Sequence, residues 1–305
     1  MSTTRAGAGM RSRTQTAIAA LCLLIALAVG VTAGIGVFER GDGTTAPAVS
    51  IRGEEYEYAT TGVYAFNAER VVAEGVGWDA LTLFVAVPAL LACVPFVARG
   101  SLRGRLVAAG ILGYFVYQYL MYAVFWALGP LFPVFIVLYP LSFATLAWIV
   151  STLDVRTLPG RFSDRFPRRS MAIFSGAMAL MLIVMWSQRI ALGLSGDVAG
   201  AGLLGTPTLA VQALDLGIIV PIALATAAFA WLRKPAGYLL AAIFAVKGVT
   251  MSGAIVAMLV SAWVVEGTLD AAPFAIFAAV TAVAGLLAFL VIRSADGAPA
   301  LEVAE

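Results

Sequence analysis

Histidine is missing from the 305-residue chain altogether. Its absence removes the usual imidazole base, the Ser-His and Cys-His dyads, and most zinc or haem ligation. An intramembrane enzyme would be left with Asp or Lys acid-base chemistry alone. Charge is scarce too: 12% of residues are Asp, Glu, Lys or Arg, against about 25% in ordinary soluble domains. The net charge of +2 is small and the basic residues are scattered among short loops, so no nucleic-acid partner is expected. Only two cysteines occur, Cys22 and Cys93, both inside apolar runs and near the cytoplasmic ends of their helices. With no CxxC spacing they read as small core residues that could be neighbours. Neither a cofactor nor a metal is expected.

What is abundant is apolar surface: 62% of residues are hydrophobic and the mean hydropathy is +0.97. A hydrocarbon core of about 30 Å needs roughly 20 apolar helical residues. Eight such runs occur, at approximately 16–38, 78–98, 106–128, 131–153, 170–192, 207–232, 237–265 and 273–293. The expected fold class is all-α, a polytopic transmembrane helix bundle of about eight spans whose partner is the lipid bilayer. Arg11 and Arg13 ahead of the first run, with Val31 to Ala33 before Gly34, also fit a cleavable signal. Cleavage would leave seven spans and the same orientation downstream.

Lys and Arg set that orientation. With a cytoplasmic N-terminus, fourteen of them fall on the inner side, from Arg5 and Arg11 through Arg99, Arg156 and Arg233 to Arg293. Three, Arg40, Arg52 and Arg70, fall in outer loops. Both termini should therefore face the cytoplasm. The implied organisation is a basic N-terminus (1–15), a first span or signal anchor (16–38), an acidic Tyr-rich extracytoplasmic loop (39–77), a seven-helix bundle (78–293) and a cytoplasmic tail (294–305). The expected location is the inner (cytoplasmic) membrane of a bacterium.

Local punctuation refines the helices. Thr206 and Pro207 read as N-cap and first helical residue of the sixth span, putting Asp215 about two turns inside, and Pro221 should kink that span. Gly30 with Gly34, and Gly248 with Ser252, form small-xxx-small faces for close packing. The outer loop carries seven carboxylates against three arginines, a net of −4. Its Tyr56, Tyr58, Tyr64 and Phe66 alternate as in an extended strip, and Asn67 is placed to cap a short helix leading to Trp78.

An ionisable residue within a span normally faces the bundle interior and has a partner. Lys247 lies near the middle of the seventh span, and Asp215 on the preceding, antiparallel span is its expected partner. Asp79 at the start of span two, Glu266 at the end of span seven and Arg189 at the outer end of span five would complete a polar pocket opening outward. On the third span Tyr114, Gln118, Met121, Tyr122 and Phe125 recur at helical spacing. That stripe either lines the pocket or bonds across a helix interface, and the Asp215–Lys247 pair is either a ligand site or an internal bridge fixing register. A Schiff-base lysine invites comparison with retinal-binding membrane proteins. Here the third span has no carboxylate and another span follows the lysine-bearing one.

Four short motifs carry a family resemblance: "GVY" at Gly62 to Tyr64, the Tyr-rich span Tyr114 to Tyr122, the Asp215 and Pro221 helix, and "VKG" at Val246 to Gly248. On these the chain resembles uncharacterised bacterial multi-pass integral membrane proteins, which implies a membrane bundle and no particular activity. The functional expectation is small-molecule binding or transport through a polar pocket in the outer half. The candidate residues are Lys247, Asp215, Arg189, Asp79, Tyr114, Gln118 and Tyr122. The alternative is a membrane sensor or assembly protein that binds a partner through the outer loop.

Overall fold

Inside a bilayer every backbone N–H and C=O must be satisfied within the chain, so long apolar segments become helices. The computed structural model describes residues 2–295, with side chains from residue 12 onward. Eight helices in it are long and apolar enough to cross a membrane. They are α1 (Ser2–Phe38, crossing over Ser12–Phe38), α2 (Glu69–Ala98), α3 (Leu102–Phe125), α4 (Phe132–Ser151), α5 (Arg168–Ser195), α6 (Ala210–Trp231), α7 (Pro235–Glu266) and α8 (Ala271–Ser294). The fold is an all-α polytopic bundle.

Its axis is α7, which packs against α2, α3, α6 and α8. On one side α1 packs on α2 and α4, and α3 on α4, around a core that includes Ile25, Leu90, Leu112 and Phe115. On the other side α5 packs mainly on α6 and α8 mainly on α7. A second apolar cluster, with Leu158, Phe162 and Phe166 from the α4–α5 connection, closes that half at one end. At the same end the Arg103 guanidinium donates to the Ala295 carbonyl at 2.7 Å, and the Ser163 N–H to the Ser294 carbonyl at 2.8 Å. α8 thus finishes among the arginine-bearing turns.

The outer segment folds as a hairpin, β1 (Thr45–Val49) and β2 (Glu55–Ala59), antiparallel with Thr45 opposite Ala59 and Val49 opposite Glu55. The extended strip expected around Tyr56 and Tyr58 is β2. Two expected helix starts are corrected. α2 begins at Glu69, not near 78, because its outer turns are buried on more than one side: Gly75 packs against Trp126 and Gly77 against the Ala257 backbone of α7, with Val71 and Ala73 buried as well. Asn67 does not cap it: Ala68 is the N-cap, while the Asn67 side chain donates to the Tyr64 carbonyl and accepts from the Ala127 N–H at 2.8 Å. α6 begins at Ala210, and the Thr206 hydroxyl bonds the Leu203 and Thr208 carbonyls instead of a helix terminus. Asp215 is consequently little more than one turn inside.

Two π-helical turns, Thr82–Ala86 in α2 and Asp215–Ile219 in α6, each end two residues before a proline, Pro88 and Pro221. Proline has already removed an N–H from the ladder there, so widening one turn costs little more. The kink expected at Pro221 takes this form. Each π turn adjoins or contains one of the two buried carboxylates, Asp79 and Asp215.

Candidate functional site

α3 presents two adjacent stripes to two different surroundings. Tyr114, Gln118 and Tyr122, four apart, turn toward α2 and the outer segment, where Asp79 is fully buried. Tyr64 donates to one Asp79 oxygen; Tyr122 and the Gln118 amide donate to the other at 3.1 and 3.2 Å. Gln118 Oε1 accepts from Thr82 at 2.8 Å, and Thr82 exchanges a hydrogen bond with the Tyr114 hydroxyl at 2.7 Å. α1 closes the group at Gly36, where any side chain would run into Asp79 and Tyr64. Asp79 accepts from three neutral donors in a sealed site.

Tyr117, Met121 and Phe125, also four apart, form the neighbouring stripe and line a cavity of about 560 Å³ between α2, α3 and α7 on one side and α5, α6 and α8 on the other. At its polar end the Tyr117 hydroxyl donates to Asp215 at 2.5 Å and Trp186 Nε1 donates to the other carboxylate oxygen at 2.8 Å. Lys247 Nζ stands 4.6 Å from the centre of the Tyr117 ring, a cation–π distance. Lys247 is half-buried, with its remaining surface given to the cavity. Among the described residues no carboxylate comes within 4.0 Å of its ammonium. The walls are apolar and soft: Met178, Met185, Met251 and Met258, with Trp78 and Trp126.

At the outer end Arg70 gathers Glu74, Glu266 and Asp270 at 3.0, 3.1 and 2.5 Å, fastening α2 to the facing ends of α7 and α8. Arg189 lies 5.5 Å over the Trp186 ring. The connection between α5 and α6 lines the mouth with Leu204, Thr206 and Thr208. The hairpin meets it at Gly205, whose N–H donates to Glu54 at 3.2 Å and whose φ is +79°. The Tyr56 ring occupies the space a side chain at 205 would need. Among the described residues no group of three Cys, Asp or Glu is placed to hold a metal.

The sequence-derived candidates therefore divide. Lys247, Asp215 and Arg189 line the cavity. Asp79, Tyr114, Gln118 and Tyr122 form the closed network and do not line it, which corrects the placing of Asp79 in the pocket; of the two readings of the α3 stripe, Tyr114, Gln118 and Tyr122 take the bonding across a helix interface, while Met121 and Phe125 line the cavity. Asp215 is not within 4.0 Å of the Lys247 ammonium; the two meet at Tyr117, whose hydroxyl bonds the carboxylate and whose ring faces the ammonium, and their opposite charges still act on each other. Tyr117, Trp186, Trp78 and Arg70 were not foreseen as site residues. The i, i+4 repeat from Tyr117 to Met121 and Phe125 is the signal that marks Tyr117. Compared with protein-family models, with curated proteins and with solved structures, the chain matches none.

Proposed function

We propose that this multi-pass membrane protein binds or transports a small molecule that carries an acidic group on an apolar body. The observation that carries the reading is the Lys247 ammonium at the floor of a cavity, with no carboxylate within 4.0 Å among the described residues, beneath walls of methionine and tryptophan. A buried cation is costly unless paired, and ligand pockets are apolar enclosures with a few directed polar groups. Asp215 is occupied by Tyr117 and Trp186, which leaves Lys247 to meet an anion. The 39–77 segment serves as a lid over the bundle 78–293, supported by the contact of Glu54 and Tyr56 with Gly205. The positive-inside bias and all-helical spans suit the inner membrane of a bacterium.

Thermal unfolding in lipid nanodiscs tests the proposal with paired probes, an aliphatic carboxylic acid and the alcohol of equal chain length. The acid should raise the melting temperature of wild type and leave Lys247→Met unmoved, while the alcohol raises neither. At a hundredfold excess over Kd the stabilisation is about 2.7 kcal/mol. Equal shifts for acid and alcohol, or for wild type and Lys247→Met, would reject an anion-binding lysine. The alternative, partner binding through the outer loop, draws on Val49 and Ile51, which are 66% and 83% exposed at the hairpin tip. It expects loss of function from changes at these two residues and none at Lys247.

A further inference from the structure

The route into the cavity follows from which helices touch and which do not. Along α7 the lining runs from Phe244 through Lys247, Met251 and Ile255 to Leu259, about 22 Å at 1.5 Å per residue. One flank of this trough is α5, with Phe174, Met178, Leu182 and Met185; the other is α8, with Pro273, Phe277 and Val280. α5 is held by α6 and α8 by α7, and α5 and α8 share no substantial interface. Both reach Gly248 of α7, where an added Cβ would stand 3.9 Å from Phe174 of α5 and 3.7 Å from Ala284 of α8. Outward of that point the two stripes face each other across the cavity, and Met178, Met185 and Phe277 are only half-buried.

The water-facing end is arranged differently. Arg70 ties α2 to Glu266 and Asp270, Leu204 and Thr206 fold over the opening, and Glu54 and Tyr56 of the hairpin hold that connection at Gly205. The end toward solvent is strapped, and the side toward the bilayer is a cleft lined with methionine and phenylalanine.

We infer that the cavity is filled from the outer leaflet through the α5–α8 cleft, and that its ligand is a single-chain, lipid-soluble carboxylic acid whose head group reaches Lys247. The inference rests on the reading of the cavity as an anion-binding site. One lysine matches one negative charge, and Asp215 just beyond Tyr117 disfavours a dianion such as a phosphate monoester. From Lys247 to Leu259 the trough is about 18 Å long, room for one extended chain trailing outward along α7. Glycerophospholipids carry two chains and a head group that belongs at the membrane surface, so they do not suit a cation at the inner end of a narrow cleft.

The test closes the cleft reversibly. In a Cys22→Ala, Cys93→Ala background, Met178→Cys and Phe277→Cys are joined by a bis-thiol reagent with a cleavable disulfide in its spacer, in protein reconstituted in vesicles. The probe is parinaric acid, a conjugated polyene fatty acid, followed by energy transfer from Trp78, Trp126 and Trp186, all of which line the cavity. The signal attributable to the site is the part that Lys247→Met abolishes. Joining α5 to α8 should slow that part at least tenfold, and cleaving the spacer should restore it, which separates a closed cleft from a damaged fold. Undiminished uptake of parinaric acid by the joined protein would overturn access from the bilayer and leave the cavity reading intact. A transfer signal unaltered by Lys247→Met would overturn the cavity reading, and the inference with it.

Discussion

Asp79 and Lys247 are both ionisable residues inside a membrane bundle, and the chain treats them in opposite ways. Asp79 is surrounded by donors from its own protein, Tyr64, Tyr122 and Gln118, with Gly36 of α1 packed over them. Lys247 has an aromatic face beside it, a cavity before it and, among the described residues, no carboxylate within 4.0 Å. A polar group satisfied from within holds a structure together. One left open toward a cavity is poised to meet something from outside. The difference separates two kinds of buried charge that sequence position alone makes look alike.

The largest expected effect follows from the satisfied member. Asp79→Leu leaves two tyrosine hydroxyls without an acceptor and the Gln118 amide with only its long bond to the Tyr122 hydroxyl at 3.4 Å. At about 1–3 kcal/mol for each buried orphan, partly relieved by relaxation, the loss of unfolding free energy should be about 3–5 kcal/mol. Asp79→Asn keeps an acceptor oxygen and should lose less than half of that. Lys247→Met should change stability by less than about 1 kcal/mol, since it removes a charge that has no carboxylate within 4.0 Å among the described residues and supplies an apolar chain of similar length. Thermal or denaturant unfolding in nanodiscs reads all three, and equal losses at 79 and 247 would break the distinction.

A smaller effect sharpens it. Asp215 is bonded to Tyr117 at 2.5 Å, whereas Lys247 contacts only the ring of that tyrosine. A double-mutant cycle of Tyr117→Phe with Asp215→Asn should give a coupling of about 1 kcal/mol or more, and Lys247→Met with Asp215→Asn one below about 0.5 kcal/mol. The reverse order would restore the direct ion pair.

The eight spans were legible because membrane thickness imposes a length on apolar runs. Residues 69–77 were not, because their helix stands partly outside the hydrocarbon, with Glu69, Arg70 and Glu74 interrupting the apolar pattern while small residues pack. Lys247 and Asp215 could be picked out by their cost in lipid. Their separation by Tyr117 could not, because it depends on how α3 is rotated relative to α6 and α7. With Met121 and Phe125 counted together with Tyr114, Gln118 and Tyr122, the two faces of α3 merge into one stripe. A rotation of about 100° per residue is enough to send neighbours on a helix to different sites.

Asp42 supplies the smallest prediction and a control in water. Like Asp79 it is held by hydroxyls, accepting from Thr61 at 2.6 Å and from the Thr44 hydroxyl and N–H at 2.8 and 3.0 Å. It is exposed, and these bonds, that of Thr61 foremost, lower its pKa from 3.8 to about 2. A carboxyl whose folded pKa lies below its unfolded value stabilises above the unfolded value, and the contribution disappears as pH falls through the folded one. Hydrogen-exchange protection at the base of the hairpin, at Thr44 and Thr60, should therefore decline between about pH 4 and pH 2. In Asp42→Asn that decline should be absent and the bundle unaffected. A decline of equal size in Asp42→Asn would assign the acid sensitivity to other carboxylates of the outer segment. A loss of bundle stability in the same variant would mean that the hairpin anchors the transmembrane helices, beyond covering the mouth of the cavity.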